Sequence, residues 1–236
     1  RNPGGSSGGS ATAVAAGMVP LAGASDAGGS IRIPAAWTNT FGFQASAGRI
    51  PSTPRPSLFH LGPHLYEGPI TRTVEDGLLA FNELQGFDPH DPYSVPSQRL
   101  PMEVLRAGVR GKRIGLSLDL GGFPVNPRIR EAMVRSAEVL EGLGAIIEPV
   151  SINLGYSHQE LTEMWLRSMG TLMLADLEGF ARRGIAPGEL GAPDSVLHWT
   201  EAAKRMTLPE VSRDRLLRTA VLDGLLDAID GRDLLI

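Results

Sequence analysis

Apolar positions recur along this chain with two different rhythms, and the change between them organises the reading. From about residue 158 onward the spacing is that of amphipathic helices, predicting helical segments over His158–Arg183, Asp194–Met206 and Pro209–Ile229. Upstream, the short apolar runs Lys112–Ser117 and Ala145–Val150 flank a helically spaced stretch, Pro127–Leu143, and this order predicts a parallel pair of strands joined by a crossover helix. Asp233-Leu234-Leu235-Ile236 reads as the start of a further strand. The first hundred residues are more broken. Ala11–Ala16 predicts a short helix closed near Gly17, and Met18–Ala22 a short buried strand. Ile31–Ala36 opens another helix, with Pro34 suited to its first turn. The Pro, Gly and His residues from Ser46 to Pro69 predict an irregular surface loop. A helix then follows to about Leu84, started by Thr73 with Asp76 as a short-armed capping box. No period of solenoid type is present.

Composition narrows the class of function. With 236 residues, 42% of them hydrophobic, the chain can bury a substantial core. A formal charge of −4, from 22 Lys+Arg against 26 Asp+Glu, offers no basic surplus for phosphates, so nucleic acid is not an expected partner. The absence of cysteine removes disulfides and thiolate chemistry and suits a reducing cytoplasm. No run approaches the roughly 18–20 apolar residues that span a bilayer, and no basic-then-apolar leader opens the chain, so no membrane partner is expected either. Both termini read as interior sequence: Arg1-Asn2-Pro3 enters a glycine-rich motif directly, and the last residues are apolar.

The candidate chemistry lies in two glycine-rich turns. Gly4-Gly5-Ser6-Ser7-Gly8-Gly9-Ser10 precedes the first predicted helix, and Ser25-Asp26-Ala27-Gly28-Gly29-Ser30 precedes the second. Successive amides at Ala27, Gly28 and Gly29 can turn toward one point and receive the oxyanion of a tetrahedral intermediate. One such donor contributes about 2.7–4 kcal/mol to a transition state. Ser30, closing that turn, is placed to attack. None of the histidines, His60, His64, His90, His158 and His198, sits in a motif that would bind it to Ser30, and none has metal-ligand spacing, so neither a histidine base nor a metal centre is expected.

The strings Pro3-Gly4-Gly5-Ser6-Ser7-Gly8-Gly9-Ser10-Ala11, Asp26-Ala27-Gly28-Gly29-Ser30-Ile31-Arg32-Ile33-Pro34-Ala35-Ala36 and Gly68-Pro69-Ile70-Thr71-Arg72-Thr73-Val74-Glu75-Asp76 together resemble the amidase signature family. The resemblance is dense over about residues 3 to 96. It implies an α/β fold with a large mixed sheet flanked by helices on both faces. Residues 1–236 would then be part of one amidase domain, truncated at both ends. It also implies a Ser-cisSer-Lys triad, with Ser30 as acyl-accepting nucleophile and Ser6, behind a cis peptide, as proton relay. Ser7 orients its neighbours, and Asp26 with Arg32 forms an ion pair holding the turn. Acyl groups in that family range from small aliphatic and aromatic amides through fatty amides to glutaminyl-tRNA-linked transamidation; the lack of a basic surplus weighs against the last, so a small carboxylic amide, cleaved without a cofactor, is the expected substrate. A homodimer is compatible with it. The family's lysine lies upstream of the first turn, and neither Lys112 nor Lys204 matches its position, so residues 1–236 alone are expected to be catalytically incomplete.

Two other readings stand beside this one. Gly5-Ser6-Ser7-Gly8-Gly9 also satisfies G-x-S-x-G, which would make Ser7 the nucleophile of an α/β-hydrolase esterase with Asp194 and His198 as partners. That motif needs a strand running into the serine. The chain could instead be a non-catalytic relative acting as a binding subunit.

Overall fold

The computed structural model describes residues 2–55, 58–61, 64–186, 189 and 194–236. The chain divides into two compact units, one reaching Ala107 and the other running from Gly108 to Ile236.

In the first unit, helix α1 (Gly8–Ala15) buries Ala11 and Val14, three residues apart on one face. Its end explains where the next strand begins. The N–H of Gly17 donates to Val14 and that of Met18 to Ala13, closing the helix, so the chain becomes free to pair only after Pro20. Strand β1 therefore runs Leu21–Asp26 rather than Met18–Ala22, and Met18, expected to be buried, is 74% exposed. After the turn come α2 (Arg32–Thr38), with Pro34 in its first turn, the two-residue strand β2 (Phe41–Gly42) and the short helix α3 (Leu58–Leu61).

Strand β3 (Tyr66–Thr71) lies between β1 and β2 and is antiparallel to both, in register from Leu21 opposite Thr71 to Asp26 opposite Tyr66. It occupies the end of the segment expected to be an irregular loop, other parts of which (residues 56–57 and 62–63) lie outside the described residues. Proline argues against a central strand. Here the Pro69 carbonyl accepts from Phe43, one residue beyond the end of β2, so its missing donor falls where that ladder is already ending. Helix α4 (Val74–Leu84) starts at Thr73, whose hydroxyl accepts from the Asp76 N–H at 3.1 Å, the forward half of the expected box. Two small cores result. Ala11, Val14, Ile31 and Ile70 form one, and Ala45, Ile50, Leu78 and Phe81 the other.

The second unit follows its sequence pattern closely. Strand β4 (Arg113–Leu116), helix α5 (Pro127–Gly142) and strand β5 (Ile146–Pro149) form the expected unit, with β4 and β5 parallel. β6 (Leu234–Leu235) pairs parallel with the other edge of β4. Asn126 caps α5 through the N–H of Arg128, and Pro127 follows where its missing donor costs nothing. Helices α6 (His158–Ala181), α7 (Asp194–Lys204) and α8 (Leu208–Ile229) complete the unit. Ile152, Leu154, Leu161, Leu217 and Ala228 form its core, with Met164 packed against it. Trp165 and Trp199 meet edge to face at 5.8 Å, and Met169 is buried. Arg167 of α6 grips Asp214 of α8 through two hydrogen bonds of 2.8 Å.

The fold is mixed α/β, with an antiparallel three-stranded sheet in the first unit and a parallel one in the second. Among the described residues no helix is long and apolar enough to cross a membrane.

Candidate active site

The site is built around a carboxylate. Asp26 ends β1 with its side chain fully buried, and the chain wraps around it into α2. Its oxygens accept from the N–H groups of Gly29 at 2.6 Å, Ile31 at 3.0 Å and Arg32 at 3.3 Å. The Arg32 guanidinium adds Nε at 3.0 Å and Nη2 at 2.9 Å, the expected ion pair in two-pronged form. Burial by itself would push this carboxyl group's pKa up. The guanidinium and the three main-chain donors outweigh burial and hold it well below the ordinary carboxylate range. Asp26 in turn raises the pKa of Arg32. A charged anchor thus fixes the curvature of Ala27 to Ser30.

That anchor has a consequence for the donors. The Gly29 N–H, expected to face an oxyanion together with those of Ala27 and Gly28, is committed to Asp26. Among the described residues the N–H groups of Ala27, Gly28 and Ser30 have no hydrogen-bond partner within the chain. In the available set the Ser30 N–H therefore stands in place of that of Gly29. Gly29 has φ +109°, a left-handed conformation that the turn requires and side chains disfavour.

The other turn lies against this one. The Gly5–Ser6 peptide is cis, as the resemblance implied for Ser6. The Ser7 N–H donates to the Ser30 carbonyl at 3.3 Å, and the Ser7 hydroxyl donates to the Ser25 carbonyl at 3.3 Å. Ser7 occupies the N-cap position of α1, yet its hydroxyl makes no capping bond there. It is spent on lacing one turn to the other. The packing repeats the connection, since Ala11 and Val14, following the first turn, share a core with Ile31, which follows the second. Ser6, Ser7, Asp26, Ala27, Gly28, Gly29, Ser30 and Arg32 thus belong to one local assembly.

The remaining candidates lie apart from it in the chain. Lys112 and Lys204 belong to the second unit, with side chains 52% and 51% exposed, and they pair with Asp233 and Glu201. Neither is buried as a proton relay requires. The alternative with Ser7 as nucleophile needs a preceding strand. Residues 2–4 form none, and Arg1 lies outside the described residues. Sequence reasoning overlooked which amides Asp26 consumes and the part played by the Ser25 carbonyl. The three-, five- and six-residue offsets from Asp26 to its amide partners were the signal available for the first of these.

Comparison with known proteins shows which family the chain belongs to. The Amidase family profile matches residues 1–224. The chain is similar to a bacterial aryl acylamidase of the amidase signature enzymes, with 46% identity and a TM-score of 0.93, covering 100% of this chain and 50% of that one. It is 42% identical over 157 residues to a subunit of the glutamyl-tRNA(Gln) amidotransferase of Staphylococcus carnosus, 65% of this chain and 32% of that protein. The structure of the corresponding amidotransferase subunit from Thermotoga maritima matches at 26% identity and a TM-score of 0.71, over 99% of this chain and 49% of that one. The chain therefore spans about half the length of the solved relatives it matches. With the family profile extending over nearly all of its length, the chain belongs to the amidase family.

Proposed function

We propose that this chain carries the acyl-accepting half of an amidase. The observation that carries the reading is the turn closed around Asp26. Among the described residues it leaves the N–H groups of Ala27, Gly28 and Ser30 unpartnered in the turn that ends on Ser30, while Ser7 laces on the turn that holds Ser6. Ser30 Oγ attacks the carbonyl carbon of a carboxylic amide. Its proton passes through Ser6 Oγ to a lysine amine supplied from elsewhere in the full-length protein. The unpartnered amides receive the negative charge that develops on the carbonyl oxygen. Collapse of this intermediate breaks the C–N bond, and the amine departs with the relayed proton. Water then repeats the sequence on the ester and releases the carboxylic acid. No step calls on a metal or an organic cofactor.

The substrate we favour is a small aryl amide. Superposed over essentially the whole chain, the aryl acylamidase matches at 46% identity and a TM-score of 0.93, against 26% and 0.71 for the amidotransferase subunit of Thermotoga maritima. The amidotransferase similarity supports a second reading, in which the full-length protein takes an amide nitrogen for transfer as part of a glutamyl-tRNA(Gln) amidotransferase. Steady-state hydrolysis by the full-length protein, with 4-nitroacetanilide and with glutamine as alternative substrates, separates the two. Replacing Ser30 with Ala is expected to lower kcat on the favoured substrate on the order of 10⁴-fold or more. Retention of the parent rate by Ser30→Ala would remove the reading.

A further inference from the structure

One side chain outside the serine–amide assembly touches both of its turns. Ile33, the second residue of α2, donates its N–H to the Gly29 carbonyl at 2.7 Å. Its side chain stands in the space that a Cβ on Gly29 would need, with Cδ1 2.5 Å and Cγ1 2.9 Å from that position. Its other branch, Cγ2, lies 3.1 Å from where a Cβ on Gly4 would sit. Gly4, at φ +77°, also rests on the Pro34 backbone, whose Cα is 3.2 Å from that point. The two glycines that open one turn and precede the serine of the other thus both lack side chains where Ile33 is present.

We propose that Ile33 is a positioning residue that sets the spacing between the turn carrying Ser6 and the turn carrying Ser30. A β-branched side chain in a helix holds essentially one χ1 rotamer, so the two branches of Ile33 form a stiff spacer. One branch abuts the Gly4 turn and the other the Gly29 turn. The residue is 41% exposed, more than core packing alone explains, and it belongs to neither small core of the first unit. Proton passage between two hydroxyls depends steeply on their separation, and a displacement of about 1 Å can cost on the order of a hundredfold in rate. Shortening the spacer lets the turns approach or tilt without removing any group that reacts.

This inference rests on the assignment of Ser6 and Ser30 given above, and its test keeps the two separable. Ile33→Ala and Ile33→Val are compared with the parent and with Ser30→Ala in the full-length protein. Steady-state kinetics on 4-nitroacetanilide are measured together with the rate of inactivation by a fluorophosphonate. Ile33→Ala is expected to lower kcat and the inactivation rate together, by about ten- to a hundredfold, with KM changed less than about threefold. Ile33→Val keeps the β-branch and loses only the Cδ1 arm, so it should recover part of both rates. A parent-like kcat in Ile33→Ala overturns the proposal, as does a change confined to KM, which would make Ile33 a wall of the substrate pocket. If Ile33→Ala does not fold, Ile33→Val decides on the same readings: a lower kcat supports the spacer and a parent-like kcat overturns it. An active Ser30→Ala would instead refute the serine assignment itself.

Discussion

The two units of this chain are stabilised in different ways. The second is a parallel sheet with long helices, held by an apolar core and capped helix starts, with a part-buried ion pair joining α6 to α8. The first is assembled from short pieces, among them a two-residue strand and a four-residue helix, around cores of four residues each. To these cores it adds a buried carboxylate that gathers three amides and a guanidinium. In the second unit a buried carboxylate joins helices that already share a core. In the first, the charge shapes the loop on which the proposed chemistry depends.

That contrast can be broken experimentally, and of the two buried carboxylates turnover should respond more to the Asp26 anchor. Asp26→Asn keeps the shape but removes the charge and one acceptor, so the Ala27–Ser30 turn loses its fixed curvature. In the full-length protein kcat should fall on the order of a hundredfold. The same variant tests the electrostatics. The folded state holds the Asp26 carboxyl group below its ordinary pKa, so its stabilising contribution is complete above the unfolded value of about 4 and is lost as the pH falls toward the folded value. Urea midpoints of parent and Asp26→Asn should therefore differ by a constant amount near neutrality and converge below about pH 4. A gap that stays constant or widens on acidification would show that the charge is not what stabilises the turn.

The smallest effect on turnover should come from the second unit. Leu217→Ala opens a cavity in its buried core and should cost about 2–5 kcal/mol of stability, read from denaturant unfolding. It should leave kcat unchanged wherever the protein remains folded. A tenfold fall in kcat for folded Leu217→Ala would erase the division of roles between the units.

The same contrast explains what the sequence disclosed. Pro127–Gly142 and Leu208–Ile229 are recognisable within a residue or two of their ends because amphipathic period and capping residues are local properties. β3 is not, because Pro69 reads as a strand breaker unless the two-residue length of β2 is known. β1 lies later than its apolar run suggests because the closure of α1 by the N–H groups of Gly17 and Met18 delays the strand past Pro20. In the site, the serine and glycine spacing marks both turns, and Asp26 and Arg32 are recognisable as a pair. The commitment of the Gly29 amide and the double contact of Ile33 depend on where side chains converge in space. No periodicity records that.

The central claim is that Ser30 forms the covalent acyl link. It is tested most directly by treating the full-length protein with a fluorophosphonate and identifying the modified peptide by mass spectrometry. The account predicts a single adduct on the Ser30 hydroxyl, abolished in Ser30→Ala. An adduct on Ser7 or on a serine of the second unit, with Ser30 unmodified, would contradict it.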